Sequence, residues 1–146
     1  MGRMAAYLRA QQAEDGSWCA LWFGHQEAEG GRNPVIGTAR VVDALRKAQV
    51  PGLDDVVAKG MAWLRQRQRD DGAWGMWRDA TVEETALAVI ALEGDVEAVR
   101  RGREWLCAQG MDGVSRPAPV GLYFALLWYH EKMYPLVWSL EALSKG

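Results

Sequence analysis

Residues 59–74 read KGMAWLRQRQRDDGAW, and a second copy of this pattern elsewhere in the chain indicates a fold built from repeats. The other copy is RMAAYLRAQQAEDGSW at residues 3–18, in which Leu8, Gln12 and Trp18 each lie 56 positions before their counterparts. A third, shortened copy starts at Arg101 and reads RGREWLCAQG. Repetition at a fixed period is typical of folds in which similar units stack side by side.

A second related segment follows each full copy. Residues 37–45 read GTARVVDAL and residues 84–92 read ETALAVIAL, with Thr-Ala and Ala-Leu at the same spacing. One repeat is therefore a first element, an Asp-Gly turn followed by Trp, a loop and a second element.

Helical signals mark both elements of the repeat. Val56, Met61, Trp63 and Leu64 fall on one side of a helix, which predicts an amphipathic outer helix. Thr81 precedes Glu84 by three positions, a capping-box pattern that predicts a helix ending near Leu92. This second helix is almost wholly apolar, so we expect it to be an inner, buried helix.

The remaining segments complete the prediction of an all-α chain. We expect helices from Asp95 through Leu106, from Val120 to about His130, and from near Pro135 to near Leu143, and a loop from Phe23 to Val35. No segment predicts a strand. About seven helices in hairpin pairs indicate an α/α toroid, a partial α/α barrel, as a single domain over residues 1–146.

Composition excludes several classes of function. The net charge is −2, which provides neither a basic surface for nucleic acid nor a polybasic segment for anionic lipid. Cys19 and Cys107 lack the spacing of a zinc site, and we expect no metal and no cofactor. The longest apolar run, residues 118–129, is shorter than the roughly 20 residues of a spanning helix. We expect a cytoplasmic protein, with peripheral membrane contact as an open alternative.

The repeated unit resembles the QW motif of class II terpene cyclases, the squalene–hopene and oxidosqualene cyclases. That motif combines a basic residue, an aromatic–aliphatic pair, a Gln and a Gly-x-Trp ending. We expect the Gln amide to bond backbone of the next helix, the Gly to make a left-handed turn, and the Trp to fill the gap between outer helices. The six structural residues are Gln12, Gly16, Trp18, Gln68, Gly72 and Trp74.

The resemblance continues in order along nearly the whole chain and corresponds to roughly the last quarter of a full cyclase. Residues 15–22 and Gly37-Thr38 resemble the cyclase pattern DGSW-x3-W…GT, although the intervening segment is longer than expected. The helix from Thr81 is similar to the penultimate inner helix. Residues 121–129 with Tyr134-Pro135 are similar to the last inner-helix segment.

The resemblance implies a substrate and a cavity. The family cyclises a long polyprenoid such as squalene in an isomerase reaction of triterpenoid biosynthesis, without a metal. Aromatic side chains of its cavity stabilise the migrating cation. Trp22 and Tyr129 match cavity aromatics, whereas Ile36, Leu122 and Leu126 stand where cyclases tend to have aromatics. The alternative is that Trp22 and Tyr129 are core aromatics of a domain without a cavity.

The acidic DxDD motif, which protonates the substrate in this family, is absent. Glu83 and Glu84 resemble it superficially, but adjacent helix positions point about 100° apart and do not converge. We interpret both as charges that suit a helix N-terminus. We therefore expect no catalytic residue in this chain, and we expect the acid-bearing helix to precede it. His25 is expected to be a solvated loop residue, and neither it nor His130 has metal ligands nearby in sequence.

Three hypotheses for function follow. The chain is the C-terminal segment of a triterpene cyclase, inactive without an upstream fragment that carries the acid. Alternatively, it is a non-catalytic module that forms a homodimer and binds an isoprenoid or another apolar ligand. A third possibility is another α/α-barrel enzyme. The chain lacks the zinc ligands that a prenyltransferase needs and shows no paired carboxylates of the kind that a glycosidase needs. An arc of helices would expose Val89, Ile90, Leu126 and Leu127, which predicts a covering partner.

Overall fold

The computed structural model describes residues 2–116, 118–124, 127–129 and 131–144, and each structural statement below concerns these residues. Six α-helices are present in this part of the chain: α1 (Arg3–Gln11), α2 (Pro34–Ala48), α3 (Asp54–Gln66), α4 (Val82–Ala91), α5 (Val96–Val114) and α6 (Tyr134–Ser144). A 3₁₀ turn (Glu29–Gly31) and three short strands, β1 (Phe23–His25), β2 (Val120–Phe124) and β3 (Leu127–Tyr129), complete the description.

The helices form hairpins in two layers. Inner helix α4 packs against α2, α5 and α6, and α2 also packs against outer helix α3. The prediction of an all-α fold of the α/α-toroid type is therefore confirmed, with six described helices where about seven were expected.

Local capping explains where three helices begin. Thr81 Oγ1 accepts a hydrogen bond from Glu84 N, as the capping-box pattern predicted, and Asp95, where a helix was expected to start, accepts one from Ala98 N. Helix α2 begins with Pro34, and Asn33 Oδ1 accepts from Ile36 N. A side-chain oxygen at the cap satisfies an N–H that has no partner within the helix.

The inner helix α4 is the centre of the core, and every one of its residues is buried. The expected exposure of Val89 and Ile90 is therefore wrong, because α4 is enclosed by α2, α5 and α6, and Val89 packs against Gly102 of α5. Leu127 is exposed, and Leu126 lies outside the described residues. Exposed apolar side chains instead follow one side of α6 and the residue before it: Met133, Val137, Leu140 and Leu143. Across the described residues, every helix is too short or too polar to cross a bilayer.

An antiparallel three-stranded sheet replaces the helix that was expected from Val120 to about His130. Strand β2 lies between β1 and β3, with Phe23 opposite Leu122 and Leu122 opposite Tyr129. The prediction of no strands is therefore wrong. A short apolar run fits a buried strand as well as a buried helix, and β1 supplies the partner that selects the strand.

The expected loop from Phe23 to Val35 is also partly regular. Its first three residues are β1, residues 29–31 form the 3₁₀ turn, and Pro34 already belongs to α2. His25, expected to be solvated, is buried because β1 pairs with β2 opposite Val120.

Candidate functional site

The first repeat joins α1 to its neighbours through its Gln and its Trp. The side-chain amide of Gln12 donates to Gly16 O at 3.0 Å and to Val56 O, in the first turn of α3, at 2.9 Å. The indole N–H of Trp18 donates to Leu8 O at 2.8 Å. These bonds fix the turn between the Gln and the Trp and anchor it to the next outer helix.

The second repeat makes the same bonds with its own residues. The amide of Gln68 donates to Gly72 O and to Ala98 O, in the first turn of α5, both at 2.9 Å. The indole N–H of Trp74 donates to Leu64 O at 2.8 Å. Each repeat is thus held to the following outer helix in the same way.

The two tryptophans also connect the outer layer to the inner layer. Trp18 N donates to Thr38 Oγ1 at 2.9 Å, and Trp74 N donates to Thr85 Oγ1 at 3.0 Å. Both indoles are buried. The N–H groups of Trp18 and Trp74 are therefore all used in hydrogen bonds that hold the helices together, and we interpret both residues as structural.

The turn glycines adopt the conformation that only glycine accepts readily. Gly16 and Gly72 have φ of +95° and +92°, in the left-handed region. A Cβ at Gly16 would lie 2.8 Å from Lys59 O, and one at Gly72 would lie 2.7 Å from Arg101 O. Close approach of the next outer helix therefore requires glycine at both turns.

The candidate cavity residues gather around the sheet and the start of α2. Leu122 and Tyr129 are register partners on β2 and β3, and they are 43% and 52% exposed. Trp22 immediately precedes β1 and is 58% exposed, whereas Ile36 is buried in the first turn of α2. The fifth candidate, Leu126, lies outside the described residues. A cavity role for these five residues stays a prediction.

A groove of about 620 Å³ lies between α1, α2 and α6 and holds an aromatic cluster that the sequence did not indicate. The rings of Tyr134 and Trp138 stack with centroids 4.6 Å apart, and Phe23 lies 5.9 Å from Tyr134. Ile36 lines the same groove, and the exposed Arg40 lies at it. The spacing of Tyr134 and Trp138, one helical turn apart, was the available signal. Such rings offer an apolar surface and faces that attract a cation.

The two adjacent glutamates lie at a helix N-terminus, as expected, and both are buried. Glu83 and Glu84 lie in the first turn of α4 and are 1% and 0% exposed. Burial raises the pKa of Glu84 to about 7, and the hydrogen bonds that it accepts from Thr81, Met76 and Asn33 oppose this shift. Their position in the first turn agrees with the prediction, but their enclosure by the surrounding elements was not expected.

The buried His25 has a local role in its turn. Its Nδ1 accepts a hydrogen bond from Glu27 N at 3.2 Å. Burial lowers the pKa of His25 below its ordinary value, while the Glu27 carboxylate opposes the shift. Within the described residues, no group of three His, Cys, Asp or Glu side chains is placed to hold a metal ion.

Comparison with known proteins finds relatives of this chain in both sequence and fold. The chain is similar to the squalene–hopene cyclase of Zymomonas mobilis, with 34% identity over 73% of this chain and 17% of that protein. It is 30% identical to the copalyl diphosphate synthase of Streptomyces cyslabdanicus over 88% of this chain and 23% of that protein. The solved ent-copalyl diphosphate synthase from Streptomyces platensis superposes with a TM-score of 0.78 at 28% identity, over 97% of this chain and 27% of that one.

The chain therefore spans about a sixth to a quarter of the length of these relatives. The family described as the squalene-hopene cyclase C-terminal domain matches residues 1–144, nearly the whole sequence. The chain belongs to this C-terminal domain family of the class II terpene cyclases.

Proposed function

We propose that this chain forms one wall of the cavity in which a class II cyclase folds and cyclises a polyprenoid, and that it supplies no catalytic acid. The observation that carries the proposal is the aromatic groove at the start of α2 and α6, where Phe23, Tyr134 and Trp138 meet. The candidate cavity residue Ile36 lines the same groove.

The contribution of these residues is binding and stabilisation. The ring faces attract a carbocation that migrates along the chain of the substrate. The apolar lining excludes water, which would otherwise quench the cation. Tyr129 and Trp22 are both exposed, and neither lines this groove, so the proposal rests on the Phe23, Tyr134 and Trp138 cluster.

Proton donation is assigned to another part of the cyclase. The DxDD motif is absent, and the Glu84 carboxylate is enclosed by three hydrogen-bond donors. An acid that protonates an alkene must reach the substrate, and Glu84 is 0% exposed. The proposed partner is therefore an upstream cyclase segment that carries the acid.

Two substrate classes agree with the named relatives. One relative is a squalene–hopene cyclase, which favours a squalene-type hydrocarbon, and others are copalyl diphosphate synthases, which favours a prenyl diphosphate. We propose the squalene-type hydrocarbon as the first candidate. The same assay tests the diphosphate.

A second candidate function is a non-catalytic module that forms a homodimer and binds an isoprenoid. The exposed apolar side of α6, with Val137, Leu140 and Leu143, favours it because soluble monomers avoid such surfaces. Light scattering of the purified chain, with and without squalene, measures this directly. A stable dimer that binds squalene supports this candidate.

The deciding experiment supplies the missing acid. The chain is co-expressed with Zymomonas mobilis squalene–hopene cyclase from which the matching C-terminal region has been removed. The complex is then incubated with squalene or with geranylgeranyl diphosphate, and products are identified by mass spectrometry. Cyclised product that disappears when the acidic motif of the partner is neutralised supports the proposal. A stable complex that returns only starting material with both substrates contradicts it.

A further inference from the structure

Two consecutive carboxylates at the start of α4 require an explanation, because a buried carboxylate is costly unless hydrogen-bond donors surround it. Glu83 and Glu84 are 1% and 0% exposed. In the first repeat the position matched to Glu84 is Gly37, where a Cβ would lie 2.4 Å from Trp18 O. Glu84 is therefore specific to the second repeat and is not a residue that the two repeats share.

Glu84 connects α4 to the start of α2. Its Oε1 accepts from Asn33 Nδ2 at 3.0 Å and from Met76 N at 2.8 Å, and its Oε2 accepts from Thr81 Oγ1 at 2.7 Å. The other end of the Asn33 amide accepts from Ile36 N at 3.1 Å. Glu84 thus determines which way the Asn33 amide faces, and Asn33 in turn caps the helix turn that carries Ile36.

Glu83 connects α4 to the sheet instead. Its Oε1 accepts from Ala118 N at 2.9 Å, two residues before β2 begins. The next residue, Pro119, accepts from Gln26 N at 2.7 Å, which ties this segment to the end of β1. Strand β2 then carries Leu122, opposite Tyr129.

We infer that Glu83 and Glu84 are positioning residues that hold the two sides of the candidate cavity separately, Glu84 through Asn33 and Glu83 through Ala118. Adjacent positions on a helix point about 100° apart, so one turn of α4 reaches two different segments. That these segments border a cavity rests on the proposed function, whereas the positioning itself does not.

Amide hydrogen exchange, followed by NMR on the full chain, tests the inference without any substrate. The Ile36 N–H lies in the first turn of α2 and has no partner within the helix, so its protection depends on Asn33. Glu84→Ala is expected to speed exchange at Ile36 about tenfold and to leave Ala118 unchanged. Glu83→Ala is expected to do the reverse.

Two further variants keep the test decisive. Glu84→Gln retains a carbonyl oxygen for Asn33 and Met76, so exchange at Ile36 should rise less than in Glu84→Ala, and this variant serves if the alanine variant does not fold. Glu97→Ala removes an exposed acid from the first turn of α5 and should change neither amide. Acceleration of both amides in both variants, as general destabilisation would cause, overturns the inference, and so does acceleration of neither. Because no substrate is present, failure of the cyclisation assay leaves this result intact.

Discussion

The two full repeats share one hydrogen-bonded framework but differ where the inner helix begins. In both, a Gln amide reaches the next outer helix and a Trp backbone N–H reaches a Thr on the inner helix. After Trp18 the inner helix brings Gly37 against the tryptophan backbone, whereas after Trp74 the matched position is the buried acid Glu84. The repeat motif therefore specifies how hairpins stack, whereas the residue at the start of the inner helix differs between the repeats, glycine in one and a buried acid in the other.

Removing the shared tryptophan is expected to have the largest effect. Trp74→Ala should lower the free energy of unfolding by about 3–5 kcal/mol, because the indole is wholly buried and its bond to Leu64 O is lost. Trp18→Ala should have a similar effect in the first repeat. Urea denaturation measures both, with the exposed Trp22→Ala as control. A loss equal to that of the control would show that the two repeats do not depend on their tryptophans.

The buried acid Glu84, which has no counterpart in the first repeat, should make the stability of the chain depend on pH. The pKa of Glu84 is raised to about 7, so the folded chain binds this proton more tightly than the unfolded chain. The free energy of unfolding should therefore decrease as pH rises from about 4.5 to about 7, by about 3 kcal/mol from this group. Below this window both states are protonated, and above it both are ionised.

Comparison with Glu84→Gln isolates that contribution. The lowered pKa of His25 acts in the opposite direction over part of this range, and the pKa of Glu84 is raised mainly by burial, with a smaller increase from the neighbouring Glu83. His25 and Glu83 both remain in the variant. Stability curves of the two proteins with equal slopes between pH 4.5 and 7 would contradict the assignment.

Replacing Gly37, which stands where the second repeat has Glu84, should change the free energy of unfolding less, and in an unusual direction. Alanine normally stabilises a helix interior relative to glycine, yet Gly37→Ala places a Cβ 2.4 Å from Trp18 O. We expect a loss of about 1–3 kcal/mol, since backbone must shift to relieve the contact. Thermal unfolding measures it, with Gly2→Ala as the control for adding a Cβ without a clash; Gly2 is the N-cap of α1, so only a small loss is expected there. Stabilisation by Gly37→Ala would refute this reading of the first repeat.

Surface ion pairs should contribute least to the free energy of unfolding. Arg9 pairs with Asp55, and Arg65 at the matched position pairs with Asp95, with all four side chains partly or largely exposed. Exposed pairs contribute little and are screened by salt. Arg9→Ala and Arg65→Ala should therefore change the unfolding midpoint slightly, and less still in 1 M NaCl. A large loss in either variant, unaffected by salt, would show that these bridges are part of the shared framework.

The repeats, the family and most of the helices could be predicted from local sequence patterns. Caps such as Thr81 and Asp95 act within one turn, and the periodic apolar positions of α3 follow from helix geometry, so local sequence was sufficient. The two turn glycines and their tryptophans were recognisable for the same reason, because each copy keeps its internal spacing.

The sheet and the burial of His25, Glu83 and Glu84 depend on contacts between distant parts of the chain and could not be predicted from local sequence. Strand β2 exists because β1, far away in sequence, pairs with it, and the same pairing buries His25. Glu83 and Glu84 are enclosed because α4 is surrounded by α2, α5 and α6 and finds donors at Asn33 and Ala118. Such contacts join residues that no local pattern relates, and the burial that shifts the pKa of Glu84 depends on all of them together.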